Sequence, residues 1–141
     1  YTIVDAETMS PLQRHRCWHV GEPLAADAMQ AAAAVLLGEH DFASFCRRSQ
    51  GGHTVRRLDA IDVVRADGGV AVGLRGPAFC HQLVRSVVGC LVDVGRGRRP
   101  PAWLADVLEA RDRRAAAAVA PPHGLVLERI DYGSAYPSAP P

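Results

Sequence analysis

Lysine is missing from this chain: all 16 of its basic residues are arginine, set against 15 acids for a net charge of +1. Codon bias, visible also in the many alanines, accounts for part of that preference. A balance this close to neutral excludes a uniformly basic coat, so any anion-binding surface has to be local. Aromatics are only 6% of residues, and the paired strand aromatics of an RNA-recognition motif are absent, so base stacking by that route is not expected. No apolar run approaches the roughly 20 residues of a membrane span, and no signal-peptide layout opens the sequence, so a cytoplasmic protein with no membrane partner is expected. Cys17, Cys46, Cys80 and Cys90 form no CxxC pair and lie mostly in apolar patterns. Reduced structural thiols are therefore expected, with neither disulfide nor zinc, and no metal site. Gly95-Arg96-Gly97 lacks the rest of a phosphate-loop or dinucleotide signature, and Ser44, Ser49 and Ser86 have no nucleophile-elbow context. No complete catalytic apparatus announces itself.

What is present suits one globular domain: 141 residues, 48% hydrophobic, enough to bury a core. Tyr1–Val4 reads as the tail of a strand, 5–13 as a loop, and Arg14–Val20 as a short strand. Pro23 opens a helix over 24–37 that Gly38 ends. Phe42 and Phe45 are spaced for one face of a single turn, as core anchors. After a Gly51-Gly52 turn, Val55 to Val64 marks a long strand. Asp67-Gly68-Gly69 is a hairpin turn, and Val70, Val72 and Leu74 lie on the return strand. A helix is expected over 77–94, another over 102–110, an alanine-rich one over 112–119, and a final strand over 124–132. The order is strand, helix, strand, strand, helix, strand. That is an α+β fold of the ferredoxin-like split βαβ kind, an antiparallel sheet with helices on one face. Residues 1–133 are assigned to this domain and 134–141 to a flexible Pro/Ser/Ala tail.

The organising stretch is Gly76 to Gly89. At about 100° per residue, Phe79, Cys80, Leu83, Val84, Val87, Val88, Leu91 and Val94 cover half a helix circumference, the face of a helix laid on a sheet. His81, Arg85 and Gly89 follow along its border at successive steps of four. A guanidinium half-sunk against apolar surface is costly unless a carboxylate or phosphate meets it. Arg85 is either a snorkelling arginine or one that awaits an anion. Arg47-Arg48 and Arg56-Arg57 flank the glycine turn without an acid nearby, and Arg96, Arg98 and Arg99 form a second acid-free cluster. Both clusters are candidate RNA contacts.

Four separated motifs then carry a resemblance: Gly38-Glu39-His40-Asp41-Phe42-x-Ser44-Phe45; Val55-Arg56; Phe79-x-His81-x-x-Val84-Arg85-x-x-Val88-Gly89 with Val94-Gly95; and Ala120-Pro121-x-x-Gly124-Leu125-x-Leu127 ending in Tyr132. In this order they resemble the C-terminal half of the tRNA pseudouridine synthase A family, in register from Tyr1 to Tyr132. The resemblance implies isomerisation of uridine to pseudouridine in the tRNA anticodon stem-loop, with no metal or organic cofactor. It also implies a homodimer whose two subunits hold one tRNA. The family's nucleophilic aspartate sits in a Gly-Arg-Thr-Asp-type motif of the N-terminal half, which this chain does not contain. The family arginine that pairs with it matches Arg85. Phe79, His81, Leu125 and Leu127 match segments lining the active site, and Tyr1 falls at the edge of the strand that carries the base-stacking tyrosine. Cys80 stands where leucine is frequent and Leu83 where methionine is. Alone, the chain is expected to be inactive; a non-catalytic RNA-binding or dimerisation module of the same fold is the alternative.

Overall fold

The computed structural model describes residues 1–47 and 52–131. Arg48, the first glycine of the Gly51-Gly52 turn, Tyr132 and the 134–141 tail lie outside the described residues.

The main sheet grows from a hairpin. β5 (Ala60–Ala66) and β6 (Gly69–Arg75) alternate apolar and small or polar residues around the Asp67-Gly68 turn, where Gly68 takes a positive φ of 72°. β1 (Thr2–Val4) pairs antiparallel with β6, Ile3 opposite Val70. The two-residue β2 (Trp18–His19) lies parallel on the far side of β1, giving the order β2-β1-β6-β5. β6 thus separates β1 from β5, which α1 (Ala26–Ala33) connects; this is the expected split βαβ arrangement and α+β class. One sheet face, carrying Ile3, Ile61, Val70 and Val72, joins the core with Met29 and Ala33 of α1 and with Val87, Val88 and Leu91 of α2 (Leu83–Gly95). The opposite face carries Thr2, Asp62, Val64 and Gly73, and all four are exposed. The outer border of β5 is closed by a side chain. The Gln30 amide donates to Ile61 O (3.3 Å) and accepts from Val63 N–H (2.6 Å).

Several elements depart from the expectations. The helix expected from residue 77 begins at Leu83, because the preceding turn is held elsewhere: Cys80 is disulfide-bonded to Cys46, with Cα atoms 5.8 Å apart, and His81 O accepts from Arg47 N–H (2.9 Å). Gln82 then enters α2 with φ 69°, a left-handed backbone that costs a non-glycine residue free energy. The expectation of four reduced thiols therefore fails at Cys46 and Cys80, which are remote in sequence and adjacent in the fold. Cys17 and Cys90 are free and buried. The long strand 55–64 is two strands, since the chain breaks at Asp59. β4 (Val55–Leu58) leaves the main sheet to pair with β3 (Gly38–Asp41), itself unexpected.

α3 (Trp103–Ala110) forms close to its expected place, and Phe42 and Phe45 are fully buried in edge-to-face contact. The alanine-rich helix does not form beyond one 3-10 turn at Arg113–Ala115; the chain then runs without helix alongside α2, where Ala117 N–H meets Cys90 Sγ and Ala120 bonds to Arg85. Tertiary hydrogen bonds outweigh the modest helix preference of alanine. Residues 125–131 form no strand, since β2 already occupies the border of β1.

Candidate active site

A cleft of about 940 Å³ runs from the uncovered sheet face to the start of α2. Strand alternation supplies its floor, with Thr2, Ala71 and Val64 side by side in register. The turn before α2 contributes Phe79 and His81, α2 contributes Arg85, and the segment after Gly124 contributes Leu125 and Leu127. With Tyr1, these are the six cleft residues that the sequence singled out, drawn from four separate stretches. Leu125 and Leu127 do not face the core as a strand would. They are 42% and 72% exposed and, with Val64 at 58%, give the cleft an apolar side open to solvent.

Arg85 is half-buried on the cleft wall. Its Nε–H donates to Ala120 O (2.7 Å), and Ala120 N–H donates back to Arg85 O (3.0 Å). No carboxylate pairs with Arg85 among the described residues, although Asp62, Glu128 and Asp131 line the same cleft. Tyr1 extends the β1 ladder through reciprocal backbone bonds with Val72 (both 2.8 Å), and its hydroxyl donates to Pro121 O (2.6 Å). Burial pushes the Tyr1 phenol up to about 12, against the pull of the Arg85 charge, so it stays neutral at physiological pH. A cleft with an apolar wall, a neutral phenol and a planar cation suits a flat polar ring on one side and an anion on the other.

A second, smaller pocket of about 190 Å³ adjoins the cleft at Phe79, Cys80 and His81, which line both. Arg47, His53 and Arg56 complete its basic lining, with Thr54 beside them. Arg56 donates from Nη1 to Val55 O (2.7 Å), while its buried Nε has no partner. Two of the four arginines expected near the glycine turn thus converge here. Arg57 is held by Asp59 (2.7 Å). The second cluster is acid-free only along the chain: Arg96 pairs with Glu22, Arg98 lies 3.8 Å from both Glu22 and Asp93, and Arg99 covers the Trp103 ring at 5.1 Å. His15 and His19 stand four apart but not on a helix, and no group of three metal-binding side chains gathers among the described residues. Sequence reasoning missed His53, which belongs to no chemical motif. Ala120 was quoted only as part of the resemblance, without its hold on Arg85, because a backbone carbonyl that orients a guanidinium leaves no composition signal.

The structure is thus a split βαβ domain of the α+β class, with an open sheet face, a cleft upon it and, on the cleft wall, an arginine with no acid partner among the described residues. Comparison with known proteins makes the class specific. Residues 32–133 match the family described as tRNA pseudouridine synthase. The chain is 48% identical over 134 residues to tRNA pseudouridine synthase A of Frankia casuarinae, covering 94% of this chain and 49% of that protein. It is 42% identical over 143 residues to the protein of the same description from Myxococcus xanthus, covering 100% and 54%. For Streptomyces griseus the figures are 45% over 127 residues, 88% and 44%. This chain belongs to the tRNA pseudouridine synthase family. It spans about half the length of the curated relatives it matches.

Proposed function

We propose that the cleft is one side of the uridine site of a tRNA pseudouridine synthase acting on the anticodon stem-loop, and that Arg85 clamps the nucleophilic aspartate of the complete enzyme. The observation that carries this is Arg85 itself, half-buried on the cleft wall with Nε engaged by Ala120 O and no acid partner among the described residues. A bidentate aspartate on the Nη groups would be oriented and held ionised by the guanidinium. That carboxylate attacks the flipped-out nucleotide. The N1–C1′ bond breaks as the carboxylate bonds to C1′, C5 then bonds to C1′ and expels the carboxylate, the C5 proton leaves and N1 regains one, so the balance needs no redox partner. Tyr1, Phe79, Leu125 and Leu127 enclose the detached ring, and His81 stands where the cleft meets the basic pocket. Arg47 and Arg56, with Arg48, take the RNA backbone, and Arg57 and the Arg96, Arg98 and Arg99 loop join them only by exchanging their present partners Asp59, Glu22, Asp93 and Trp103 for phosphate. The enzyme works as a cytoplasmic homodimer holding one tRNA.

The test is Arg85→Lys in the full-length enzyme, which keeps the charge and loses the planar fork. Tritium release from 5-tritiated uridine in tRNA should fall about 100-fold, near 3 kcal/mol at about 1.4 kcal/mol per factor of ten, with the fold intact. Activity within a factor of two of the parent would overturn the proposal.

The basic pocket favours a second reading, an RNA-binding or dimerisation module, because its arginines stand apart from the Ala120–Arg85 contact. On that reading RNA affinity depends on Arg47 and Arg56, falls with salt, and is indifferent to Arg85, and no isomerisation occurs.

A further inference from the structure

Two of the polar groups that line the cleft, the Arg85 guanidinium and the Tyr1 phenol, are held by the same short piece of chain. Ala120 exchanges two hydrogen bonds with Arg85, through its N–H and its carbonyl (3.0 and 2.7 Å), and the next residue, Pro121, accepts the Tyr1 hydroxyl at 2.6 Å. Pro121 has no N–H to compete for that geometry, and Ala120 is fully buried. The piece reaches α2 only because residue 89 has no side chain: a Cβ at Gly89 would overlap the Ala118 carbonyl oxygen and crowd Ala120 N at 3.4 Å. It returns past Tyr1 in the same way, for a Cβ on Gly124 would lie 2.7 Å from the Tyr1 ring. The neighbours of Gly89 are all backbone, so the crowding there cannot be relieved by turning a side chain.

We propose that residues 118–121, seated on Gly89, are the positioning element of the site, a backbone splint that sets the direction of the Arg85 guanidinium and the Tyr1 phenol together. The role assigned to Arg85 rests on the function proposed above; the splint itself does not. The seat lies one helical turn beyond Arg85 on the same side of α2, so a displacement there is delivered directly to Nε. Gly89 and Ala120 touch no substrate in this account and act through Arg85 and Tyr1.

The experiment is Gly89→Ala in the full-length enzyme, read in two ways. Tritium release should show kcat lowered 10- to 100-fold, with KM for tRNA changed less than about twofold, as expected when alignment rather than binding is lost. Nitrogen-15 NMR should show the Arg85 Nε–H resonance, assigned by its loss in Arg85→Lys, shifted and exchanging faster with water. Parental kcat together with an unmoved resonance would overturn the splint. Should Gly89→Ala fail to fold, Tyr1→Phe decides, since it removes only the donor to Pro121: a shifted Arg85 Nε–H supports the splint and an unmoved one refutes it. A moved resonance combined with full activity in Arg85→Lys would leave the splint standing and defeat the function proposed for Arg85.

Discussion

Asp5 shows how a single side chain ties the end of β1 to the rest of the molecule. It is buried, accepts from Leu24 N–H at 2.9 Å, and pairs with Arg65, whose guanidinium also donates to Leu24 O. Burial alone would raise its pKa, but the Arg65 and Leu24 hydrogen bonds and the Arg65 charge outweigh it and hold the carboxyl below its ordinary value. A depressed folded pKa stabilises the fold fully above the unfolded value of about 3.9 and loses that contribution as pH falls through the lower folded value. Asp5→Asn should therefore cost about 1–3 kcal/mol at neutral pH. The gap to the parent should shrink below about pH 4. Urea unfolding over a pH series measures it, and a gap unchanged down to pH 2 would exclude the carboxylate as its source. Arg85 belongs to the same scale and was legible in the sequence, because a charged residue on the border of an otherwise apolar helix face raises the question of its partner. Its carbonyl holder was not legible, since backbone groups are alike at every position.

The turn before α2 is the element where local pattern and tertiary structure disagree most. Apolar spacing from Phe79 onward fits a helix, yet the helix starts at Leu83, once the Cys46–Cys80 bridge and the Arg47–His81 bond have been satisfied. Phe79 and His81 are thereby kept out of the core and turned to the two pockets. On the chain-entropy account, a bridge across a separation of 34 residues contributes about 3–4 kcal/mol. Dithiol reduction, or Cys46→Ser, should lower the unfolding free energy by that order, and non-reducing intact mass should lack one hydrogen from each of two thiols. Identical denaturation midpoints with and without reductant would contradict the bridge. The hairpin, α3 and the buried side of α2 were readable, because period-2 and period-3.6 patterns survive when an element packs by one face. The alanine-rich helix and the last strand were not, for what directs residues 112–131 is contact with α2 and the lack of a free border beside β1.

At the scale of the whole molecule, the uncovered sheet face carries exposed Val64, and Leu125, Val126 and Leu127 are exposed beside it, an apolar patch. The chain spans about half of its relatives, and we expect the remainder of the enzyme to supply both a cover for that patch and the aspartate. This chain alone should release no tritium from labelled tRNA, and activity should return on adding the remainder in trans. Val64→Asp should weaken that rescue at least about tenfold by placing a charge on an apolar contact surface. Turnover by the unaided chain would defeat the expectation.

The β5 border of the sheet has been dealt with differently: one amide, that of Gln30, takes two of the main-chain groups a neighbouring strand would use, Ile61 O and Val63 N–H. Growth of the sheet in that direction must first displace a side chain rather than a wall of structure. Loss of the amide would show itself as clumping before it showed as melting, because a bare strand recruits strangers sooner than it abandons its own partners.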